Sequence, residues 1–237
     1  MQKEFASGVH LLKLLMKNKG DIKMSLNKYI DHTILKPFAG EDAVIKLCNE
    51  AKKYNFASVC INSSYIPLAK KILKDTDVNV CTVIGFPLGA CSTETKVAET
   101  EYSYNNGCDE FDMVIHVGAL KDKKYDYVRN DIKAVVDAAK GKCVKVIIET
   151  SLLTEEEKVM AVKLSCEAGA AFVKTCTGFT DGIATVDDIK LMKANVTNGV
   201  KVKASSGIRS YADAKALIDA GAERLGTSAG IKIISGE

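Results

Sequence analysis

The chain has 237 residues, of which 47% are hydrophobic, and a formal net charge of +3. This length suits one large domain whose core needs neither disulfides nor a structural metal. The basic residues are spread along the chain and include only Arg129, Arg209 and Arg224 as arginines, which disfavours nucleic-acid binding, and no apolar run approaches the ~20 residues of a membrane-spanning helix.

The first 24 residues differ from the rest and predict a lysine-rich helical extension. An import peptide is disfavoured because this segment has no arginine and carries Glu4 and Asp21. Met24 opens a segment that would itself be a plausible start. We therefore expect residues 25–237 to form the functional domain, and removal of residues 1–23 to spare its activity.

From residue 28 onward, short apolar runs alternate with helical stretches, as is typical of parallel βα units. Capping-box patterns at Thr154, Thr185 and Ser210 mark three of the helix starts. The sequence predicts an α/β fold of the (βα)8 TIM-barrel type with an extra N-terminal helix. A Rossmann or flavodoxin-like sheet is the alternative, and the absence of GxGxxG disfavours it. The strand candidates are residues 29–35, 57–61, 79–85, 110–115, 144–150, 171–176, 200–205 and 223–227.

Two consecutive predicted strands each carry a lysine near the C-terminal end, where TIM barrels hold their active sites. These are Lys174 and Lys203. Neighbouring strands lie about 4.8 Å apart, so two inward-facing amines would each lower the pKa of the other. A neutral amine is what attack on a carbonyl requires. The alternative is that either lysine faces outward. Lys145 and Lys201 stand at strand beginnings and are interpreted as bottom-face or surface residues.

Asp112 lies within an otherwise apolar predicted strand, where an unpaired carboxylate would be costly. Pairing with a lysine would offset that cost, and the carboxylate could then relay protons. A purely structural ion pair is the alternative.

Two late loops, 205–209 and 226–230, are rich in small residues and predict a phosphate site, because backbone N–H groups can approach an anion there. Gly178 follows the sixth predicted strand and could contribute. Ordinary turns remain the alternative for these loops.

Metal chemistry is not expected, because His10, His32 and His116 are far apart and form no HxH or HExxH pattern. His32 and His116 are interpreted as core or pocket-lining residues. The eight cysteines include no CxxC pair, so we expect reduced thiols in a soluble cytoplasmic protein that binds neither nucleic acid nor membrane.

Four segments together resemble the signatures of the deoxyribose-phosphate aldolase family: 29–36 (YIDHTILK), 110–115 (EFDMVI), 172–179 (FVKTCTGF) and 203–209 (KASSGIR). The likeness spans about residues 25–235. It implies reversible cleavage of 2-deoxy-D-ribose 5-phosphate into D-glyceraldehyde 3-phosphate and acetaldehyde, with no cofactor, in a homodimer. A related Schiff-base aldolase acting on another phosphorylated sugar and a non-catalytic barrel that binds phosphorylated metabolites are the alternatives.

The resemblance also implies site roles. Lys174 is the expected Schiff-base lysine, Lys203 its proton-handling neighbour, and Asp112 the proton donor or acceptor. The expected substrate-binding residues are Asp31, Thr33, Cys60, Thr177, Gly178, Ser206, Gly207, Gly226 and Ser228.

The chain departs from the family at three points. Ser206 stands where a second glycine is usual, His116 stands where asparagine is common, and the chain ends at Glu237 without the tyrosine-bearing tail of some members. We expect Ser206 to narrow the phosphate site and turnover to be affected, with the reaction class unchanged.

Overall fold

Eight parallel strands close into a barrel in sequence order, in a computed structural model that describes residues 26–236. The predicted TIM barrel is therefore confirmed. The strands are β1 (Ile30–Thr33), β2 (Ser58–Ile61), β3 (Asn79–Ile84), β4 (Glu110–Val114), β5 (Cys143–Ile147), β6 (Phe172–Lys174), β7 (Lys201–Ser205) and β8 (Arg224–Thr227).

Each strand is followed by one helix, except that two helices follow β4. Within the described residues these are α1 (Glu41–Tyr54), α2 (Ile66–Ile72), α3 (Thr93–Asn105), α4 (Val117–Lys121), α5 (Tyr125–Ala138), α6 (Glu155–Glu167), α7 (Val186–Asn195), α8 (Tyr211–Asp219) and α9 (Gly230–Ser235). Single turns of 3₁₀ helix occupy Asn27–Tyr29, Ser63–Tyr65 and Thr150–Leu152.

The helix starts follow the sequence signals. Thr154 and Ser210 form complete capping boxes at α6 and α8, and Thr185 accepts a hydrogen bond from the Asp188 N–H at the start of α7. These bonds satisfy backbone donors that have no partner inside the helix.

Successive strand residues face opposite sides of the barrel wall, because side chains alternate along a strand. On β4, Phe111 and Met113 belong to the main hydrophobic core between strands and helices. Asp112, between them, points into the barrel and contacts side chains of other strands there. The barrel interior is thus the place where polar side chains meet.

A second, smaller apolar cluster consists of Leu35, Cys60, Cys81 and Val83, with Phe86 packed against it. It comes from β2, β3 and the loops that follow β1 and β3. The charged side chains of the interior come mainly from the opposite strands, β4 to β8.

All eight predicted strands are present, but three end at least two residues earlier than predicted: β1 at Thr33 rather than at residue 35, β5 at Ile147 rather than at residue 150, and β6 at Lys174 rather than at residue 176. The Thr175 N–H still bonds to the Lys203 carbonyl at 3.2 Å, after which the backbone leaves the ladder. Within residues 26–236, no helix is long and apolar enough to cross a bilayer. The predicted N-terminal helix of residues 1–24 lies outside the described residues.

Candidate active site

The predicted lysine pair converges on the predicted carboxylate. The Nζ atoms of Lys174 and Lys203 each lie 2.7 Å from the same oxygen, Oδ2 of Asp112. Lys174 is 4% exposed and the other two side chains are fully buried. The alternative that either lysine faces outward is therefore wrong.

Strand register explains this convergence. Lys174 and Lys203 are direct partners across β6 and β7, so their side chains leave the wall at the same height and on the same side. Neither residue is near the other in sequence, and β4 is separated from β6 by β5. Barrel closure brings Asp112 across the interior to both amines.

Lys145 contradicts its interpretation as a bottom-face or surface residue. It is fully buried, and its Nζ lies 2.8 Å from Asp112 Oδ1 and 2.6 Å from Glu110 Oε2. Lys145 pairs directly with Asp112 across β4 and β5, so it faces the interior wherever Asp112 does. Lys201, at the start of β7, is exposed as expected.

Asp31 does not line an open pocket as expected. Its side chain is fully buried, with Oδ2 2.5 Å from Lys203 Nζ and Oδ1 2.7 Å from Arg224 Nη1. The Ser58 hydroxyl also donates to Oδ1 at 2.7 Å. Asp31 therefore anchors Lys203, and its predicted substrate contact stays a prediction.

Burial and charge act in opposite directions on the pKa values of this cluster. Burial alone raises the pKa of Asp112, but the positive charges of Lys145, Lys174 and Lys203 outweigh it and hold that pKa well below its ordinary value. The pKa of Asp31 is likewise lowered, because Lys203 is the foremost of the cations that outweigh its burial.

The pKa of Lys203 contradicts the expectation that two neighbouring amines lower each other's pKa. Burial lowers its pKa, but the carboxylates of Asp112 and Asp31 outweigh that effect and raise it above the ordinary value. Lys203 is therefore a stable ammonium. The prediction that Lys174 carries a neutral amine stays a prediction.

The buried ion network holds four positive and three negative side chains, so its charges do not balance. Lys174 is its least anchored cation, since Asp112 is the only carboxylate of residues 26–236 within 4.0 Å of its Nζ. The members are Lys145, Lys174, Lys203 and Arg224 against Asp31, Glu110 and Asp112.

The loops after β6 and β7 lie against each other, as a shared phosphate site requires. The Ser206 hydroxyl donates to the Gly182 carbonyl at 2.7 Å, and the Ala184 N–H donates to the Ser206 carbonyl at 3.1 Å. A Cβ added at Gly178 would lie 3.8 Å from the Ser206 side chain. Gly207 has φ +79°, a conformation that favours glycine.

Thr177 is held by a glutamate that the sequence reasoning missed. Its hydroxyl and its N–H both donate to Oε2 of Glu149, at 2.5 and 3.1 Å. Glu149 is buried and has φ +54°, a strained backbone for a non-glycine residue. An acidic residue ending an apolar run is the same signal that drew attention to Asp112, and it would have found Glu149.

Three further residues were predicted to bind substrate: Gly226, Thr33 and Ser228. A Cβ at Gly226 would lie 2.9 Å from Ser205 Cβ and 3.2 Å from Lys203 Cε, so this glycine makes room for the lysine. Thr33 and Ser228 border a cavity of about 640 Å³ between α1 and α9. Gly226 therefore has a packing role, and its predicted substrate contact stays a prediction.

Cys60 lies where expected, inside the barrel beside Cys81 and Asp112, with one ligand-type atom of each within 4.8 Å of the others. In the described part of the chain this is the only such group of possible metal ligands. A metal ion there would face the ammonium groups of Lys145, Lys174 and Lys203, which already bond to Asp112. The donor set therefore disfavours a metal.

The two histidines in the described residues serve structural roles. His32 shares a 2.8 Å hydrogen bond with Glu50, and the His116 Nδ1 accepts from the Ala119 N–H at the start of α4. His116 also packs edge-on against Tyr127.

Comparison with known proteins agrees with this geometry. The profile of the family described as DeoC/LacD family aldolase matches residues 26–236, which include every member of the ion network. The chain belongs to the DeoC/LacD aldolase family. Relatives named deoxyribose-phosphate aldolase include one from Bdellovibrio bacteriovorus, 59% identical over 213 residues that cover 90% of this chain and 97% of the relative. Another from Clostridium novyi is 58% identical over 214 residues, covering 90% and 96%.

Solved aldolase structures have the same fold. One described as QR15, an aldolase, superposes with a TM-score of 0.86 at 39% identity, covering 90% of this chain and 95% of that one. The deoxyribose phosphate aldolase from Aeropyrum pernix, described as a unique tetramer, gives 0.83 at 33% identity and covers 89% of each chain. The cluster of lysines and carboxylates is therefore interpreted as the active site of an aldolase.

Proposed function

We propose that this aldolase reversibly cleaves 2-deoxy-D-ribose 5-phosphate into D-glyceraldehyde 3-phosphate and acetaldehyde through a Schiff base on Lys174. The observation that carries the proposal is the pair of amines, Lys174 and Lys203, that share Oδ2 of Asp112 at the end of the barrel where TIM-barrel enzymes bind substrate. The names of the relatives support the choice of substrate.

Lys174 is suited to be the nucleophile because it can lose its proton with the least loss of ion pairing. The network then holds three cations and three anions. Its side chain is also the only one of the three interior lysines with any exposure, so a carbonyl carbon entering from the mouth can reach Nζ. Lys145 and Lys203 remain charged and hold Asp112 in place.

The reaction follows from these positions. The Lys174 amine adds to the C1 carbonyl of the open-chain sugar, and loss of water leaves a protonated imine. A base then removes the proton of the C3 hydroxyl, the C2–C3 bond breaks, and its electron pair moves into the imine to form an enamine. Glyceraldehyde 3-phosphate leaves with C3 to C5. Protonation of the enamine at C2 and hydrolysis release acetaldehyde and return the free amine.

Asp112 and Lys203 are the groups that can move these protons. Asp112 accepts hydrogen bonds from both amines through one oxygen, so it can take a proton from Lys174 and pass it to a water or to the substrate. Lys203 supplies a fixed positive charge beside the leaving hydroxide of the carbinolamine. The apolar cluster around Cys60 and Val83 offers a wall for the methyl group of acetaldehyde.

The phosphate is assigned to the loops after β6 and β7. Gly178, Ser206 and Gly207 all have positive φ, and successive backbone N–H groups in such conformations form concave sites that bind anions. Ser228 lies in the loop after β8, and this loop often takes part in the phosphate site of TIM barrels.

Borohydride trapping tests the proposal. The full chain, incubated with deoxyribose 5-phosphate or acetaldehyde and then reduced, should carry an ethyl group on Lys174. Lys174→Met should stay unlabelled, and Lys201→Met, which removes an exposed lysine, should label as the unchanged chain does. Equal labelling of Lys174→Met and the unchanged chain would contradict the Schiff-base assignment.

We also propose that residues 1–24 are an addition to a complete catalytic domain. The family match begins at residue 26, and the Bdellovibrio relative matches over 97% of its length with 213 of the 237 residues of this chain. A chain that begins at Met24 should keep the kcat and the unfolding midpoint of the full chain. Loss of folding on truncation would contradict this division.

We infer a homodimer in the cytoplasm from the family resemblance, although the Aeropyrum relative is described as tetrameric. All eight cysteines are unpaired thiols, which suits a reducing compartment. Light scattering coupled to size-exclusion chromatography tests the assembly, since a dimer and a tetramer differ twofold in mass. Cell fractionation tests the location.

A further inference from the structure

Cys81 touches the catalytic carboxylate from a strand that contributes no charged side chain to the network. It lies on β3, is fully buried, and its Sγ is 3.2 Å from Oδ1 of Asp112. The Nζ of Lys145 lies 3.3 Å from the same sulfur. Cys81, Asp112 and Lys145 thus form a closed triangle of polar contacts inside the barrel.

The thiol can donate to the carboxylate because it keeps its proton. Burial is the largest of the causes that raise the pKa of Cys81 well above its ordinary value, followed by its hydrogen bond with Cys60 and the negative charge of Asp112. Two other acceptors are within reach, the Thr82 carbonyl at 3.6 Å and the Cys60 sulfur. The Asp112 oxygen, at 3.2 Å, is the only ionised acceptor of the three and therefore the strongest, so the S–H bond points to it.

The two oxygens of Asp112 therefore have different partners. Oδ1 is held by Cys81 of β3 and Lys145 of β5, which flank β4 on opposite sides. Oδ2 faces Lys174 and Lys203. Two donors on opposite sides of Oδ1 resist rotation of the carboxylate plane about the Cβ–Cγ bond, and that rotation would carry Oδ2 away from one of the amines.

We infer that Cys81 is a positioning residue that holds Asp112 in the orientation needed to exchange protons with Lys174. The inference rests on the proposed role of Asp112 in the aldol reaction. It assigns no contact between Cys81 and the substrate, since the thiol acts through the carboxylate.

Substitutions at this position can separate the hydrogen bond from packing. Cys81→Val fills a similar volume within the apolar cluster of Leu35, Cys60 and Val83, but has no donor. Cys81→Ser keeps a donor. Cys108 offers a matched control, because it is also a buried thiol beside β4 but, within residues 26–236, its Sγ bonds only to the main-chain carbonyls of Val80 and Glu110.

Steady-state kinetics on the full chain should then show a specific pattern. We expect Cys81→Val to lower kcat about tenfold to a hundredfold, the range for a lost hydrogen bond to a charged group, with KM changed by less than about twofold. Cys81→Ser should stay within about twofold of the unchanged kcat, and Cys108→Val should leave kcat unaltered.

The pH profile should separate positioning from a general loss of packing. Loss of the thiol donor removes a hydrogen bond to the ionised form of Asp112, so its pKa rises and the acidic limb of kcat in Cys81→Val moves to higher pH. Neither Cys81→Ser nor Cys108→Val should move that limb. The charged and titratable groups that surround Asp112 and set this limb are Asp31, Cys60, Cys81, Glu110, Lys145, Lys174, Lys203 and Arg224.

Unchanged kcat and acidic limb in Cys81→Val, or equal losses in Cys81→Val and Cys108→Val, would overturn the inference. A crystal structure of Cys81→Val tests it without activity: the carboxylate should rotate, and an Asp112 Oδ2 that keeps both 2.7 Å contacts would overturn it. If valine prevents folding, Cys81→Ala provides a second donor-free variant. An unchanged chain that cleaves no substrate would refute the proposed function, while the crystal structure would still decide the role of Cys81.

Discussion

Lys174 and Lys203 share one acceptor, the Oδ2 oxygen of Asp112, at the same distance of 2.7 Å. The two amines are not equivalent, because Lys203 is also held by Asp31 at 2.5 Å whereas Lys174 has no second carboxylate among the described residues. This asymmetry assigns the fixed charge to Lys203 and the reacting nitrogen to Lys174. Three of the four expected outcomes below concern this network, and one concerns Ser206 in the loop after β7.

Asp112→Asn should lower kcat by at least about a hundredfold, because an amide cannot accept the proton that Lys174 must release. The same change should lower the free energy of unfolding by about 3 to 5 kcal/mol, since three buried ammonium groups lose a shared anion. Substrate turnover and urea unfolding measure the two effects. Asp77→Asn, which alters an exposed carboxylate, should change neither quantity. Near-normal turnover in Asp112→Asn would rule out a proton-transfer role.

Lys145 and Lys201 form a matched pair for testing burial. Lys145→Met should destabilise the protein by about 3 to 5 kcal/mol, because Glu110 and Asp112 each lose a fully buried ion-pair partner. Lys201→Met, on the exposed start of β7, should alter stability by less than about 0.5 kcal/mol. Urea unfolding at neutral pH measures both variants. Equal stability of the two variants would show that Lys145 does not hold the network together.

Ser206 has φ +78°, which is strained for a residue with a Cβ, and its hydroxyl bonds to the Gly182 carbonyl. Ser206→Ala keeps the strain and loses the bond, so it should cost about 1 kcal/mol. Ser206→Gly loses the bond but relieves the strain, and the ~1 to 2 kcal/mol gained exceeds the added chain entropy of glycine. In urea unfolding, the Ser206→Gly variant should therefore be more stable than the Ser206→Ala variant. The reverse order would mean that the positive φ carries little strain.

The free energy of unfolding should fall in acid, and this fall should be smaller in Asp31→Asn. The pKa values of Asp31 and Asp112 are lowered in the folded state, so their stabilisation is complete above the unfolded pKa of about 4 and is lost as pH falls through the folded values. Lys203 has a raised pKa, so its stabilisation is complete below about pH 10 and is lost above its folded value. Urea midpoints below pH 4 should fall less steeply for Asp31→Asn than for the unchanged chain. Parallel curves would exclude Asp31 as a source of the acid sensitivity.

Local sequence was sufficient for the features that depend on nearest neighbours. Apolar runs and capping residues such as Thr154 and Ser210 predicted the strands and helix starts, because a strand buries two faces and a helix end needs side-chain acceptors. Lys174 and Lys203 were predicted because a lysine near the C-terminal end of a buried strand is unusual. Their shared partner Asp112 stood out for the same reason.

Only the closed barrel decided which charges meet. Arg224 and Asp31 are 193 positions apart in the chain and yet 2.7 Å apart in space, and Lys145 joins them in one network from a third strand. Whether a strand residue faces the interior, and at what height, depends on the register between neighbouring strands and on how the eighth strand meets the first. That register is set by closure of the whole sheet, so no local pattern showed that Lys145 and Asp31 support the reacting groups or that Cys81 bonds to Asp112.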